Sequence, residues 1–240
     1  MRELVLVGID PGYRDVSALQ WAIEWATATD QEVLVVSGFE IGQSEVSPEF
    51  HDELLEEAHV LIDQKLSSVN RAGRAKVRSM IVEGHPTQVV IDAVHAEDPS
   101  IVVLGSRGEG GYDQLAVGGV GHRVIHELTR PVVIVRHHGG TIQGGEVIVV
   151  NSAVGDEESP ALDWALGASK VTGSPLVELD AANTADVVAE ACRLGDQDNA
   201  AMIVVGSRGV GSILDLASGK LAASMVERSD RPVVLIHRPG

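Results

Sequence analysis

The chain has 240 residues and a formal net charge of −17, which argues against a nucleic-acid backbone or an anionic membrane surface as partner, and its 3% of aromatics is too few for base-stacking platforms. Hydrophobic residues make up 44%, enough for the core of one large domain or two ordinary ones, and no apolar run approaches the roughly 18 residues of a membrane span. Cys192 is the only cysteine, which excludes an intrachain disulfide and points to a reducing, cytoplasmic compartment.

Short apolar runs alternate with longer stretches at helical period, the pattern of βα units around a parallel sheet. The opening MRELVLVGIDPG has an apolar run too short for a signal peptide, so residues 4–9 are predicted as a first strand, closed by an Asp10-Pro11-Gly12 turn. A helix is expected from about Asp15, with Val16, Leu19, Ala22, Ile23 and Ala26 as its apolar stripe. Residues 33–37 form the second strand, and Ser47-Pro48-Glu49 opens a long helix with a capping hydroxyl, a first-turn proline and an early carboxylate. Strands at 77–82, 101–104 and 132–135 then alternate with helices at 86–95 and 120–128. The first half is therefore a five-stranded α/β unit.

The stretch HHGGTIQGG over residues 137–145 is glycine-rich and polar, so residues 1–138 are taken as a first domain, 139–145 as a linker and 146–240 as a second domain. The second half restarts with a strand at 146–150 and a helix at 159–170, whose Ala161-Leu162-Asp163-Trp164-Ala165 echoes Ala18-Leu19-Gln20-Trp21-Ala22. A strand at 176–179 and a helix at 185–193 follow. Trp21 lies 84 positions before Gly105, but Trp164 lies 42 before Gly206, so the second half is short by about one strand and one helix. The closing segments match without a gap at an offset of 101: Gly105-Ser106-Arg107-Gly108 on Gly206-Ser207-Arg208-Gly209, Gly118 on Gly219, and Arg130-Pro131 on Arg231-Pro232.

The repeated loop leaves the carboxyl end of a buried strand, where open α/β sheets bind ligands. Gly105 and Gly108 can take positive φ and admit a ligand to the main chain, and Gly118 and Gly119 precede a helix whose free N–H groups favour an anion. The glycines either cradle a phosphate or simply make tight turns. An acidic protein can hold phosphate on backbone amides, so the net charge does not exclude a nucleotide. A Walker A loop fails at Leu214 and Leu221, and a dinucleotide GxGxxG fails at Val124 or Asp113.

The spacing Gly105-x2-Gly108-x9-Gly118 resembles the ATP-binding signature of universal stress proteins, G-x2-G-x9-G-[ST], and Gly206-x2-Gly209-x9-Gly219 repeats it. The resemblance covers nearly the whole chain as two tandem copies. It implies two doubly wound, mainly parallel five-stranded-type sheets with helices on both faces, of the adenine nucleotide alpha hydrolase-like kind, the second lacking about one strand and one helix. It further implies adenine and ribose near Gly8, Asp10 and Gly38, and phosphates against Gly105, Gly108, Gly118, Gly119, Val120 and Gly121. The ligand would be ATP, ADP or AMP, with or without magnesium, and the role a cytoplasmic stress-response factor with no defined reaction. Asp10 could equally be an Asp-Pro-Gly turn former.

The family's serine or threonine is replaced by Gly119 and Gly121 in the first copy, and by Lys220 and Ala222 in the second. Two hydroxyl bonds at about 0.5–1.5 kcal/mol each correspond to roughly tenfold or more in affinity. Asn151 is read as standing in for the first-strand aspartate, which makes the second half a structural partner. The resemblance also implies pairing of the halves through their last strands, 132–135 and 233–236; a homodimer is a further option. A module that binds no nucleotide and a slow ATPase are the alternatives.

Rival sites are weaker. His122 and His126 have a metal-compatible spacing without an HExxH context, His137-His138 lies in the linker, and Cys192 has no CxxC partner. Asp52, Glu53, Glu56, Glu57 and Asp63 read as a solvated helix face; Arg107 and Arg208 could meet a phosphate or an acidic neighbour.

Overall fold

The first apolar run forms β1 (Leu4–Gly8), buried on both faces. Leu4 and Leu6 enter one core and Val5 and Val7 the other, as the two-residue period of a strand requires. A strand covered on both sides reads as continuous apolar sequence, which is why the valine runs were legible. The computed structural model describes residues 3–13, 15–40, 48–69, 75–106, 119–136, 142, 145–151, 159–181, 184–207 and 219–237.

The chain continues through α1 (Ser17–Thr29), β2 (Glu32–Phe39), α2 (Pro48–Ser68), β3 (Val77–Glu83), α3 (Pro86–Glu97), β4 (Ile101–Gly105), α4 (Gly119–Glu127) and β5 (Val132–Val135). Beyond the linker come β6 (Val147–Asn151), α5 (Pro160–Thr172), β7 (Leu176–Asp180), α6 (Val187–Gln197), β8 (Met202–Ser207), α7 (Gly219–Arg228) and β9 (Val233–His237). Local chemistry sets several boundaries. Pro86 and Pro160 stand in the first turns of α3 and α5, which His85 and Ser159 cap by accepting the Thr87 and Leu162 amides. Asp186 accepts the Ala189 amide, so α6 begins at Val187, two residues later than expected. α1 is capped from one residue further out than its first flanking position: Asp15 Oδ1 accepts both the amide and the hydroxyl of Ser17.

All strands among the described residues lie in one nine-stranded sheet, ordered β3-β2-β1-β4-β5-β9-β8-β6-β7. The two sheets expected from sequence are thus continuous. Every neighbouring pair is parallel except β5–β9, which is antiparallel with Val132 opposite Leu235, Val133 opposite Val234 and Ile134 opposite Val233. The expected pairing of the last strands is therefore present, within one chain. Arg136 reinforces the seam by donating to the carbonyls of Glu227 and Ser229 at the carboxyl end of α7, where a cation complements the helix dipole.

Helices α1, α2 and α5 cover one face and α3, α4, α6 and α7 the other. On the first face the chain's three tryptophans stack in a row. Trp21 and Trp25 lie 5.4 Å apart between ring centres, and Trp25 and Trp164 lie 5.3 Å apart across the two halves. Such pairs contribute about 0.5–1.5 kcal/mol beyond the area they bury. The described part of the linker is also tied down: Ile142 is fully buried in the same core, and its amide donates to Glu24 Oε2 on α1 at 3.1 Å.

Candidate functional site

β1 lies between β2 and β4, with Gly8 in register with Val36 on one side and Leu104 on the other. The connection after β1 runs over the face covered by α1, and the one after β4 leads to α4 on the opposite face. Their carboxyl ends therefore open a crevice where the winding changes direction, the usual ligand position in such sheets. Asp10 follows β1 into this crevice, Gly105 closes β4 beside it, and Gly38 lies near the end of β2. Gly119, Val120 and Gly121 form the first turn of α4, whose leading amides have no partner within the helix. Gly108, Gly118 and the two loop arginines lie outside the described residues.

Gly8 and Gly38 have packing duties, and Gly105 a pairing one. A Cβ at Gly8 would sit 2.7 Å from Leu104 Cδ2 and 3.3 Å from Val90 Cγ2, inside the core. One at Gly38 would meet Pro86 Cα at 2.8 Å and the Gly84 carbonyl at 3.1 Å, so this glycine lets β2 pass the β3–α3 turn. Gly105 is a strand residue in register with Val135, and the Ser106 amide continues that ladder to the Val135 carbonyl at 2.9 Å. The positive φ considered for this loop is therefore not used at Gly105; among the described glycines it occurs at Gly84 and Gly173. Any amide assigned to a phosphate has to come from beyond Ser106.

Asp10 Oδ1 accepts the Gly12 amide at 2.9 Å, so its turn-forming role is realised. The sequence reading missed the residue that packs against this loop. Lys65, on α2, is only 8% exposed, and its Nζ donates to the Tyr13 carbonyl. Burial lowers its pKa from the ordinary lysine value, while the charges of Asp10 and Asp15 pull it back up. Farther out, the rings of Phe39 and His51 lie 6.2 Å apart, and His51 Nε2 stands 3.0 Å from Glu83 Oε2.

The second half carries a one-residue correction. Val150 is in register with Val205, which the 101-residue offset equates with Leu104, the partner of Gly8. Val150 thus corresponds to Gly8 and Asn151 to Ile9, and the position matching Asp10 is Ser152, outside the described residues. Asn151 instead donates to Glu178 Oε1 at 2.7 Å.

The rival sites gain little. No group of three or more histidine, cysteine or acidic side chains is placed to hold a metal among the described residues. The side chains of His122 and His126, and residues 137–138, lie outside them. The acidic residues 52, 53, 56, 57 and 63 are exposed, as a solvated face should be. Cys192 is half-buried; burial pushes its thiol pKa up, with Arg228 pulling down and Asp196, Asp230 and Asp186 adding to the rise. No helix among the described residues is long and apolar enough to cross a membrane.

Comparison with known proteins agrees with this architecture. The model of the "Universal stress protein family" matches residues 1–136. A universal stress protein of Methanocaldococcus jannaschii is 23% identical over 137 residues, 55% of this chain and 81% of that one. One of Mycobacterium tuberculosis is 24% identical over 177 residues, 73% of this chain and 64% of its own length. The crystal structure of a universal stress protein from Archaeoglobus fulgidus superposes with a TM-score of 0.72 at 22% identity, covering 98% of this chain and 96% of that one, which shows the fold. With more than half its length matched by the family model and a mostly parallel sheet flanked by helices, this chain belongs to the universal stress protein family.

Proposed function

We propose that the chain is a tandem universal stress protein that binds or senses an adenine nucleotide in its first half, residues 1–138, while residues 146–240 form a shortened partner half. The strand order supports the duplication, since β7-β6-β8-β9 repeats β2-β1-β4-β5. The observation that supports the nucleotide reading is the pairing of β1 with β4, whose following helices α1 and α4 cover opposite faces, so that Asp10 and Gly105 follow neighbouring strands at the winding reversal. In this reading the Asp10 carboxylate accepts from ribose hydroxyls. The leading α4 amides at Gly119, Val120 and Gly121, with the Gly108–Gly118 loop, bind the phosphate tail. Magnesium, if carried, would enter with the nucleotide. The role is that of a cytoplasmic regulatory factor whose conformation reports ligand to a partner.

A second reading has one specific observation behind it: glycines at 119 and 121 supply no hydroxyl to the outer phosphates, which favours an interaction module of the same fold. Isothermal titration with ATP, ADP and AMP separates the two. Binding near one nucleotide per chain is expected. Gly108→Val or Gly118→Val should abolish it, whereas Gly209→Val should leave it within about twofold, since the second half also lacks about one strand and one helix of the first. Absence of heat and of any thermal shift at millimolar nucleotide would establish the interaction module. Phosphate release with added magnesium would mark a slow ATPase.

A further inference from the structure

The inward stripe of α2 runs through Ala58, Ile62 and Leu66, and Lys65 lies beside Leu66 on that side, only 8% exposed. A methionine or leucine would fill that space without the desolvation that burying an ammonium entails. The charge must therefore do something that packing does not. Its Nζ donates to the Tyr13 carbonyl, and the carboxylates of Asp10 and Asp15, on either side of that residue in the β1–α1 loop, act electrostatically on it. Asp15 also holds the start of α1 through Ser17, so this one cation touches a loop fixed at both ends, by the Asp10–Gly12 turn and by the Asp15 cap.

Asp10 and Asp15 put two carboxylates in a loop with one arginine, Arg14, which is a difficulty if the crevice takes a nucleotide. The chain already carries −17, and carboxylates beside a polyphosphate repel it. We infer that Lys65 is a positioning residue of the nucleotide site, holding the Asp10–Asp15 loop through the Tyr13 carbonyl and offsetting its two carboxylates so that a charged nucleotide is tolerated there. This rests on the nucleotide reading above. It adds a specificity element: the residue matters in proportion to the ligand's negative charge.

The test compares the full-length wild type with Lys65→Met and Lys65→Arg, titrated calorimetrically with ATP, AMP and adenosine at one ionic strength. Lys65→Met should weaken ATP by about tenfold, AMP by less, and adenosine least, as expected for loss of a nearby unit charge in a partly screened site. Lys65→Arg, which keeps the charge and the donor, should restore most of the ATP affinity. Equal weakening of all ligands by Lys65→Met, or no weakening, would overturn the inference and leave the nucleotide reading intact. A wild type that binds none of the three would overturn both. Should Lys65→Met fail to fold in a circular dichroism melt, Lys65→Gln takes its place in the same comparison.

Discussion

Gly8 offers the sharpest separation between a packing residue and a ligand-facing one. A methyl group added there would lie 2.7 Å from Leu104 Cδ2 and 3.3 Å from Val90 Cγ2, and both neighbours are only 3% exposed, so neither can swing into solvent. Overpacking of this kind destabilises by about 1–3 kcal/mol, so Gly8→Ala should fall in that range. The second half suggests the remedy. At the corresponding register Val150 faces Val205, a shorter side chain than Leu104. Leu104→Val removes the clashing carbon and should by itself cost about 1 kcal/mol for the lost methylene. The double variant should then be more stable than the sum of the singles predicts, by about 1 kcal/mol or more. Urea unfolding followed by far-ultraviolet circular dichroism, with unchanged slopes, gives the four stabilities. Additivity within about 0.5 kcal/mol would refute the packing account. Gly8→Ala with wild-type stability but impaired nucleotide binding would put the ligand, and not Leu104, beside this glycine.

Two further outcomes follow from burial. Ile142→Ala should destabilise the chain by about 2–5 kcal/mol in the same urea assay, because the side chain is fully buried; a change below about 0.5 kcal/mol would mean the linker does not dock as described. Cys192, with its thiol pKa raised chiefly by burial, has less thiolate than an ordinary cysteine at pH 8. Iodoacetamide should therefore alkylate the native chain more slowly than the urea-unfolded chain, with a rate that climbs as pH rises; equal rates in both states would contradict this.

The inner strands were legible because burial on both faces writes them as unbroken runs of valine, leucine and isoleucine, and residues 132–135 were placed with correct ends. β2 extends past the expected 33–37 because Gly38 and Phe39 go on pairing with Val82 and Glu83, a partner that no local pattern reveals. The same limit applies to the glycines. Gly8 and Gly38 answer to atoms more than 40 positions away in the chain, so their packing duty was invisible beside their proximity to the crevice. Lys65 was missed because a lysine flanked by Asp63 and Gln64 resembles a solvated helix surface. A signal was nonetheless present: Lys65 lies three positions after Ile62 and four before Val69, on the stripe that turns inward. The site itself was legible as a location, through Asp10 after the first strand and Gly105 at the end of the fourth. Its amide geometry was not, since the sequence does not say that the Ser106 amide is claimed by Val135.

The antiparallel β5–β9 junction also has a consequence for behaviour in dilute solution. Two strands that meet as separate molecules come apart as concentration falls, whereas strands tethered in one polypeptide meet at an effective concentration of the order of millimolar however few copies are present. The junction should therefore persist unchanged at nanomolar levels. Because Val132, Val133 and Ile134 face Leu235, Val234 and Val233 rather than copies of themselves, each side is free to change without forcing the same change on the other.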